Sequence, residues 1–205
     1  SGGLVGSEMC IRDRWNSKAS EFNIYEMSKN RRDIVKELAD ACKKHGIKLG
    51  LYYSHWIDWN DKRSWDHTNE IYGLDPDLYD DYWQEKVIPQ MTELLTNYGE
   101  ISIIWFDMWI HHSKTIVKKE QLFQLKELIR KLQPKCLINS RLGLSIEEDS
   151  DVDFRTLGDN QLGKEKLEYP WQTPATIANS WGFNANEYRW KSTTSILKAL
   201  IGNVS

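Results

Sequence analysis

Asp107 closes the segment Asn97-Tyr-Gly-Glu-Ile-Ser-Ile-Ile-Trp-Phe-Asp-Met-Trp109, where an apolar run ends abruptly on a carboxylate. A carboxylate in such a place can act as a nucleophile, or simply cap the next helix and bond nearby amides. Ile101 to Phe106 is too short for a helix, is rich in β-branched and aromatic residues, and follows Gly99 at the end of a helical pattern. It predicts a buried parallel strand with Asp107 at its carboxyl end. Parallel sheets place their chemistry at that end, because the loops leaving it converge on one mouth. If Asp107 points inward, Trp105 and Ile103 point inward with it, and Ser102, Ile104 and Phe106 face the helices. The same logic groups Leu137, Asn139 and Arg141 on the following strand. Asn139 and Arg141 suit a helix-facing side poorly, so both are expected at the mouth, where a guanidinium can hold a carboxylate or substrate hydroxyls.

The elements that must position these residues repeat a single design. Arg32 to His45 carries Ile34, Val35, Leu38, Ala41 and Cys42 at the spacing of one helical face, with Gly46 as its stop before a strand from Lys48 to Ser54. Leu78 to Tyr98 is the second helix, with Tyr82, Trp83, Val87, Met91, Leu94, Leu95 and Tyr98 on its buried side; Pro89 should kink or divide it. The third unit has Gln121 to Leu132 as helix, apolar at Leu122, Phe123, Leu125, Leu128, Ile129 and Leu132, then Pro134 and a strand from Cys136 to Ser140. Three such units predict an α/β fold with a helix-covered parallel sheet.

Composition narrows the function classes. The 205 residues are 40% hydrophobic, enough for one sizeable core, and a net charge of -3 points to neither nucleic acid nor an acidic membrane surface. Three scattered cysteines, Cys10, Cys42 and Cys136, form neither a disulfide framework nor a metal-ligand spacing, and the last two are expected as core fillers. His111-His112 follows the Asp107 strand, but adjacent histidines point in different directions and no further ligand stands at the right spacing, so no metal is assigned. No cofactor is assigned either. Ten Trp and nine Tyr are many for this length, and aromatic faces at a polar mouth suit the C–H faces of sugar rings. Trp56, Trp59 and Trp181 are candidate walls for a sugar, while Trp83 and Trp190 are expected to pack.

The segments Ser17-Lys-Ala-Ser-Glu-Phe-Asn, Arg32 through Ser54, Leu94-Leu-Thr-Asn-Tyr-Gly, Ile104-Trp-Phe-Asp, Asn139-Ser-Arg and Asn179-Ser-Trp-Gly together resemble the α-L-fucosidases of glycoside hydrolase family 29. The resemblance runs from Trp15 to Ser205. It implies a partial (β/α)8, TIM-like barrel that hydrolyses α-L-fucosides with retention, through a covalent fucosyl-enzyme. The family nucleophile falls on Asp107, its substrate-binding Arg on Arg141, a site Trp on Trp105, and a site Tyr on Tyr53 or its neighbour Tyr52. Arg141 is expected to hold Asp107 ionised. The implied partner is a fucosylated oligosaccharide or glycoconjugate.

Where many members carry a Glu as proton donor, this chain has Gly158 within Asp153-Phe-Arg-Thr-Leu-Gly-Asp159. Asp159 is the first choice for the donor, with Glu147, Glu148 and Glu168 as alternatives, since a retaining pair needs a carboxyl separation of roughly 5 Å. Gln172 stands in a Trp-Gln-Thr sequence where the family usually has Glu, in what should be a substrate-facing loop. Two other readings stand beside this one: a retaining glycosidase for another sugar, such as an α-galactoside, and a non-catalytic carbohydrate-binding relative.

Residues 1–14 show no periodicity that joins the next helix and resemble translated sequencing-adapter sequence, leaving 15–205 as the barrel segment. The catalytic domain thus reads as truncated at both ends. An open part-barrel exposes strand edges and apolar interior, so this polypeptide alone is expected to aggregate and be inactive.

Overall fold

The structure, a computed structural model, describes residues 13–65, 74–144, 152–161, 167–182 and 184–204. Cys10, Glu147 and Glu148 lie outside the described residues. Two side-chain caps set the start of the chain's path. Asn23 accepts from the Glu26 N–H to open α1 (Ile24–Met27), and Asp33 accepts from the Lys36 N–H to open α2 (Ile34–His45). Gly46, at φ 66°, takes the left-handed conformation that ends α2 and turns the chain into β1 (Leu49–Tyr53).

The second helical segment runs from Pro76 to Asn97 in three parts: α3 (Pro76–Tyr82), a π turn (Trp83–Val87) and α4 (Ile88–Asn97). Pro89 is the cause we assign to the division. Its nitrogen has no hydrogen to donate and its ring would collide with the carbonyl four residues back; the widened turn relieves both conflicts without a break. β2 (Ile101–Phe106) follows, then α5 (Lys119–Leu132) and the short β3 (Leu137–Ile138). β4 (Arg155–Thr156), β5 (Trp171–Gln172) and α6 (Thr193–Val204) complete the order.

β1, β2 and β3 form a parallel sheet in sequence order, β4 and β5 pair in parallel, and a single parallel bridge from Asn139 to Phe154 joins the two. Register pairs Tyr52 with Trp105 and Tyr53 with Phe106. Because partners across a ladder share a face, the sheet sorts its side chains cleanly. Tyr53, Ile104, Phe106 and Ile138 are all 0% exposed and share one core with Val87, Met91, Leu94, Leu122, Leu125 and Ile129. Tyr52, Ile103, Trp105 and Leu137 lie on the opposite, incompletely covered face.

Several packing expectations change. Only Val35 and Ala39 of α2 are buried, and Leu38 is 48% exposed, so the covered stripe is narrower than the apolar spacing predicts. Trp83 is buried as expected, but Trp190 is 61% exposed and does not pack. Asp13, assigned by sequence to the leader, is 8% exposed and accepts from Gln90 Nε2 at 2.9 Å, so the packed region includes it. Burial pushes the Cys136 thiol up to about 11, as an inert core thiol requires, while Cys42 is only half-buried.

Candidate active site

Two strand ends, a 3-10 turn and a loop assemble the candidate site. β2 delivers Asp107 as the first residue beyond its ladder. The backbone there is pinned on both sides. The Asn139 side chain accepts from the Phe106 N–H and donates to the Phe106 carbonyl; Trp56 Nε1 donates to the Asp107 carbonyl at 3.0 Å; and the Met108 N–H donates to the Arg141 carbonyl at 2.8 Å. Such pinning fixes the direction of the Asp107 side chain before any ligand arrives.

Arg141 does not arrive on a strand. The chain leaves the ladder after Ile138, and a 3-10 turn (Ser140–Leu142) swings the guanidinium back over the sheet end. Gly143, at φ 110°, closes that turn where a Cβ would meet Met108 Sδ at 2.6 Å. His55, buried between the Phe106 and Trp83 rings, ties the turn to the end of β1 through its Nε2 and the Leu142 carbonyl, 2.8 Å apart.

Arg141 is 8% exposed and spends its charge on two carboxylates: Nη1 donates to Asp107 Oδ1 at 2.6 Å and Nη2 to Asp159 Oδ1 at 2.5 Å. Nη2 also donates to the Leu157 carbonyl at 2.9 Å. Two carboxylates on neighbouring nitrogens of one planar fork stand within about 7 Å of each other. On the far side of Asp107, Tyr52 donates its hydroxyl to Oδ2 at 3.0 Å. Tyr52 stacks on Trp105 with centroids 5.5 Å apart, and the Arg141 guanidinium lies 5.4 Å from the Trp105 ring. Asp107 is thus bracketed by a phenol and a guanidinium that share one indole as their floor.

Burial pushes the Asp107 carboxyl above its ordinary value; Arg141 and Tyr52 pull it down, and the charge of Asp159 adds to the rise. Arg141 thus favours the ionised form, as the sequence led one to expect, but burial outweighs it. Arg141 itself is raised: burial opposes its charge, but the hydrogen bonds to Asp159 and Asp107 prevail.

Of the residues singled out by sequence, Asp107, Asp159, Arg141 and Trp105 come together. Tyr53 does not. It is fully buried on the helix side, its hydroxyl donating to Gln90 Oε1 at 2.9 Å, and Tyr52 takes the place assigned to it. Asn139 is also turned from the mouth, 0% exposed, with its amide on Phe106 and on Thr156 Oγ1. Trp56 is 1% exposed and cannot wall a pocket; it braces Asp107 instead. Trp59 and Trp181 stay about half exposed, and Glu168 is exposed. Gln172 sits in β5, not in a loop, and its Nε2 donates to Thr156 Oγ1 at 3.0 Å, which continues the Asn139 brace. The sequence signal for Tyr52 was present, since Leu49 and Leu51 mark the helix-facing parity that Tyr53 shares. His111 and His112 stack at 4.3 Å, with His111 Nδ1 against Ser113 Oγ, and among the described residues no group of three His, Cys, Asp or Glu gathers to hold a metal.

The α-L-fucosidase family model matches residues 13–205. The chain is 33% identical over 150 residues to α-L-fucosidase 1 of Arabidopsis thaliana, covering 71% of this chain and 24% of the plant protein. Against the α-L-fucosidase of Dictyostelium discoideum it is 26% identical over 200 residues, 93% of this chain and 41% of that protein. Among solved structures, a point mutant of α-L-fucosidase AlfC from Lactobacillus casei, in complex with the substrate 4-nitrophenyl α-L-fucopyranoside, superposes with a TM-score of 0.74 at 31% identity, covering 96% of this chain and 66% of that one. The α-L-fucosidase from Vibrio sp. strain EJY3 gives a TM-score of 0.77 at 31% identity over 92% of this chain and 33% of that one. The chain thus spans about a quarter of the plant relative's length. A match over nearly every residue, added to a carboxylate pair held by one arginine at parallel strand ends, means that this chain belongs to the α-L-fucosidase family.

Proposed function

We propose that these residues form part of a (β/α)8 barrel that hydrolyses α-L-fucosides with retention. Asp107 attacks the anomeric carbon while Asp159, in the protonated form that this step requires, gives its proton to the departing glycosidic oxygen, so the C–O bond to the leaving group breaks as the ester to Asp107 forms. Asp159, now a carboxylate, takes a proton from water; the oxygen of that water attacks the same carbon, and the ester breaks to restore Asp107. Two inversions leave the configuration unchanged.

The observation that carries this reading is the bridging of Asp107 and Asp159 by Arg141. Both oxygens of Asp107 have a donor, Arg141 on Oδ1 and Tyr52 on Oδ2, and a nucleophile so held loses little entropy on attack. A fucosylated oligosaccharide or glycoconjugate is the proposed substrate, in keeping with structures of AlfC complexed with α-L-fucose and with Fucα(1,6)GlcNAc. The parallel strands in sequence order favour the barrel.

The test uses the complete reading frame that carries these residues. Proton NMR of early 4-nitrophenyl α-L-fucoside hydrolysis should show α-L-fucose first, with the β anomer appearing only by mutarotation. Initial release of β-L-fucose would rule out double displacement. Binding of fucose without turnover would support a carbohydrate-binding role instead.

A further inference from the structure

Asp159 lies beyond β4 in a turn from Gly158 to Gln161, closed by the Gln161 N–H donating to the Gly158 carbonyl at 3.1 Å. Its side chain is 49% exposed, so packing does not fix it. Asn160 holds the next place in the turn with φ 56°, a left-handed conformation that glycine and asparagine accept best. Its backbone N–H donates to the Pro174 carbonyl at 2.8 Å. Its side-chain Oδ1 accepts three times: from the Thr176 N–H at 3.0 Å, from Thr176 Oγ1 at 3.2 Å and from Lys191 Nζ at 2.7 Å.

Lys191 stands 31 residues from Asn160 in the chain. Its ammonium also donates to the Thr176 carbonyl at 2.6 Å, and its backbone N–H to the Ile177 carbonyl at 2.9 Å. These acceptors are neutral oxygens, and the contacts gather three separate segments around the turn. Arg141 grips the same stretch through the Leu157 carbonyl and through Asp159 itself. The chain is thus tied on both sides of Asp159, by Arg141 before it and by Lys191 after it. A donor displaced by about 1 Å loses much of its effect on rate. We propose that Lys191 is a positioning residue for the proton donor: by holding Asn160 it fixes the turn that presents Asp159 to the departing oxygen. This rests on the reading of Asp159 given above.

Two fucosides that differ only in leaving group test it on the complete reading frame. A fucosyl-N-acetylglucosamine disaccharide needs a proton on its departing oxygen, whereas α-L-fucosyl fluoride releases an anion that needs little protonation. kcat/KM reads the steps up to that release, so the later role of Asp159 toward water does not enter. Lys191→Met should lower kcat/KM for the disaccharide about 10-fold and change the fluoride by less than about 2-fold. Because the contacts it removes are exposed, Tm should stay within about 2 °C. Asn160→Gly keeps the left-handed conformation without the acceptor and should repeat the pattern, and the double variant should be no worse than Asn160→Gly. Asp159→Asn should show the same selectivity more strongly. An equal fall on both substrates, no fall in either single variant, or additive losses in the double variant would overturn the proposal while leaving the fucosidase reading standing. No selectivity in Asp159→Asn would remove the donor assignment, and a wild-type protein that cleaves neither substrate would remove the fucosidase reading; this inference falls with either.

Discussion

The Asn139 carboxamide closes both hydrogen bonds of the Phe106 backbone, accepting from its N–H and donating to its carbonyl, each at 2.9 Å. A side chain here replaces the ladder partner that β3 is too short to supply, one residue before the carboxylate of the site. Asn139→Ala should leave two buried backbone groups unpaired and destabilise the fold by about 1–3 kcal/mol. It should also lower kcat more than it raises KM, because the loosened part carries Asp107. Denaturant unfolding and steady-state kinetics on the same variant check both.

Two adjacent tyrosines should behave oppositely. Tyr53→Phe removes a buried hydroxyl from Gln90, so it should cost about 1 kcal/mol of stability and leave kcat unchanged. Tyr52→Phe removes a donor from Asp107 and should lower kcat about 10-fold with little effect on stability. The reverse pattern would reinstate Tyr53 as the site residue.

The pH dependence follows from the causes acting on Asp107. Burial raises its pKa, and attack requires the ionised form, so the acid limb of kcat/KM should lie above the ordinary carboxylate range. Arg141→Met removes the larger of the two influences that lower it and should move that limb to higher pH. Tyr52→Phe should move it the same way by less. A limb that moves to lower pH in either variant would contradict the assignment.

The same shift has a sign for stability. A carboxyl whose pKa is higher folded than unfolded binds its proton more tightly in the fold, so its ionisation subtracts stability as pH rises from the unfolded value through the folded one. Below the unfolded value the penalty is absent. Asp107→Asn should therefore raise Tm at neutral pH and change it less at the acid end, as thermal unfolding across that range will report.

How far the sequence reaches depends on whether a residue's place is set locally. Asp107 was legible because an apolar, β-branched run fixes a strand and period two fixes its faces; the helix-side burial of Ile104 and Phe106 agrees. Arg141 reaches the expected mouth, but by a 3-10 turn to which strand parity does not apply. Asn139 was assigned to the mouth on the rule that polar strand residues seek water. It bonds the neighbouring strand instead, a choice set by register, which one strand's sequence does not contain. Trp56 is the same case: its indole N–H finds the Asp107 carbonyl 51 residues away, and no local pattern announces such a contact.

Covalent trapping probes the account most directly. Incubating the complete reading frame with 2-deoxy-2-fluoro-α-L-fucosyl fluoride should slow hydrolysis of the ester enough to accumulate it, and peptide mass mapping should place one deoxyfluorofucosyl group on Asp107. A label on Asp159 or any other carboxylate, or steady turnover of α-L-fucosides with Asp107 replaced by Gly, would contradict it.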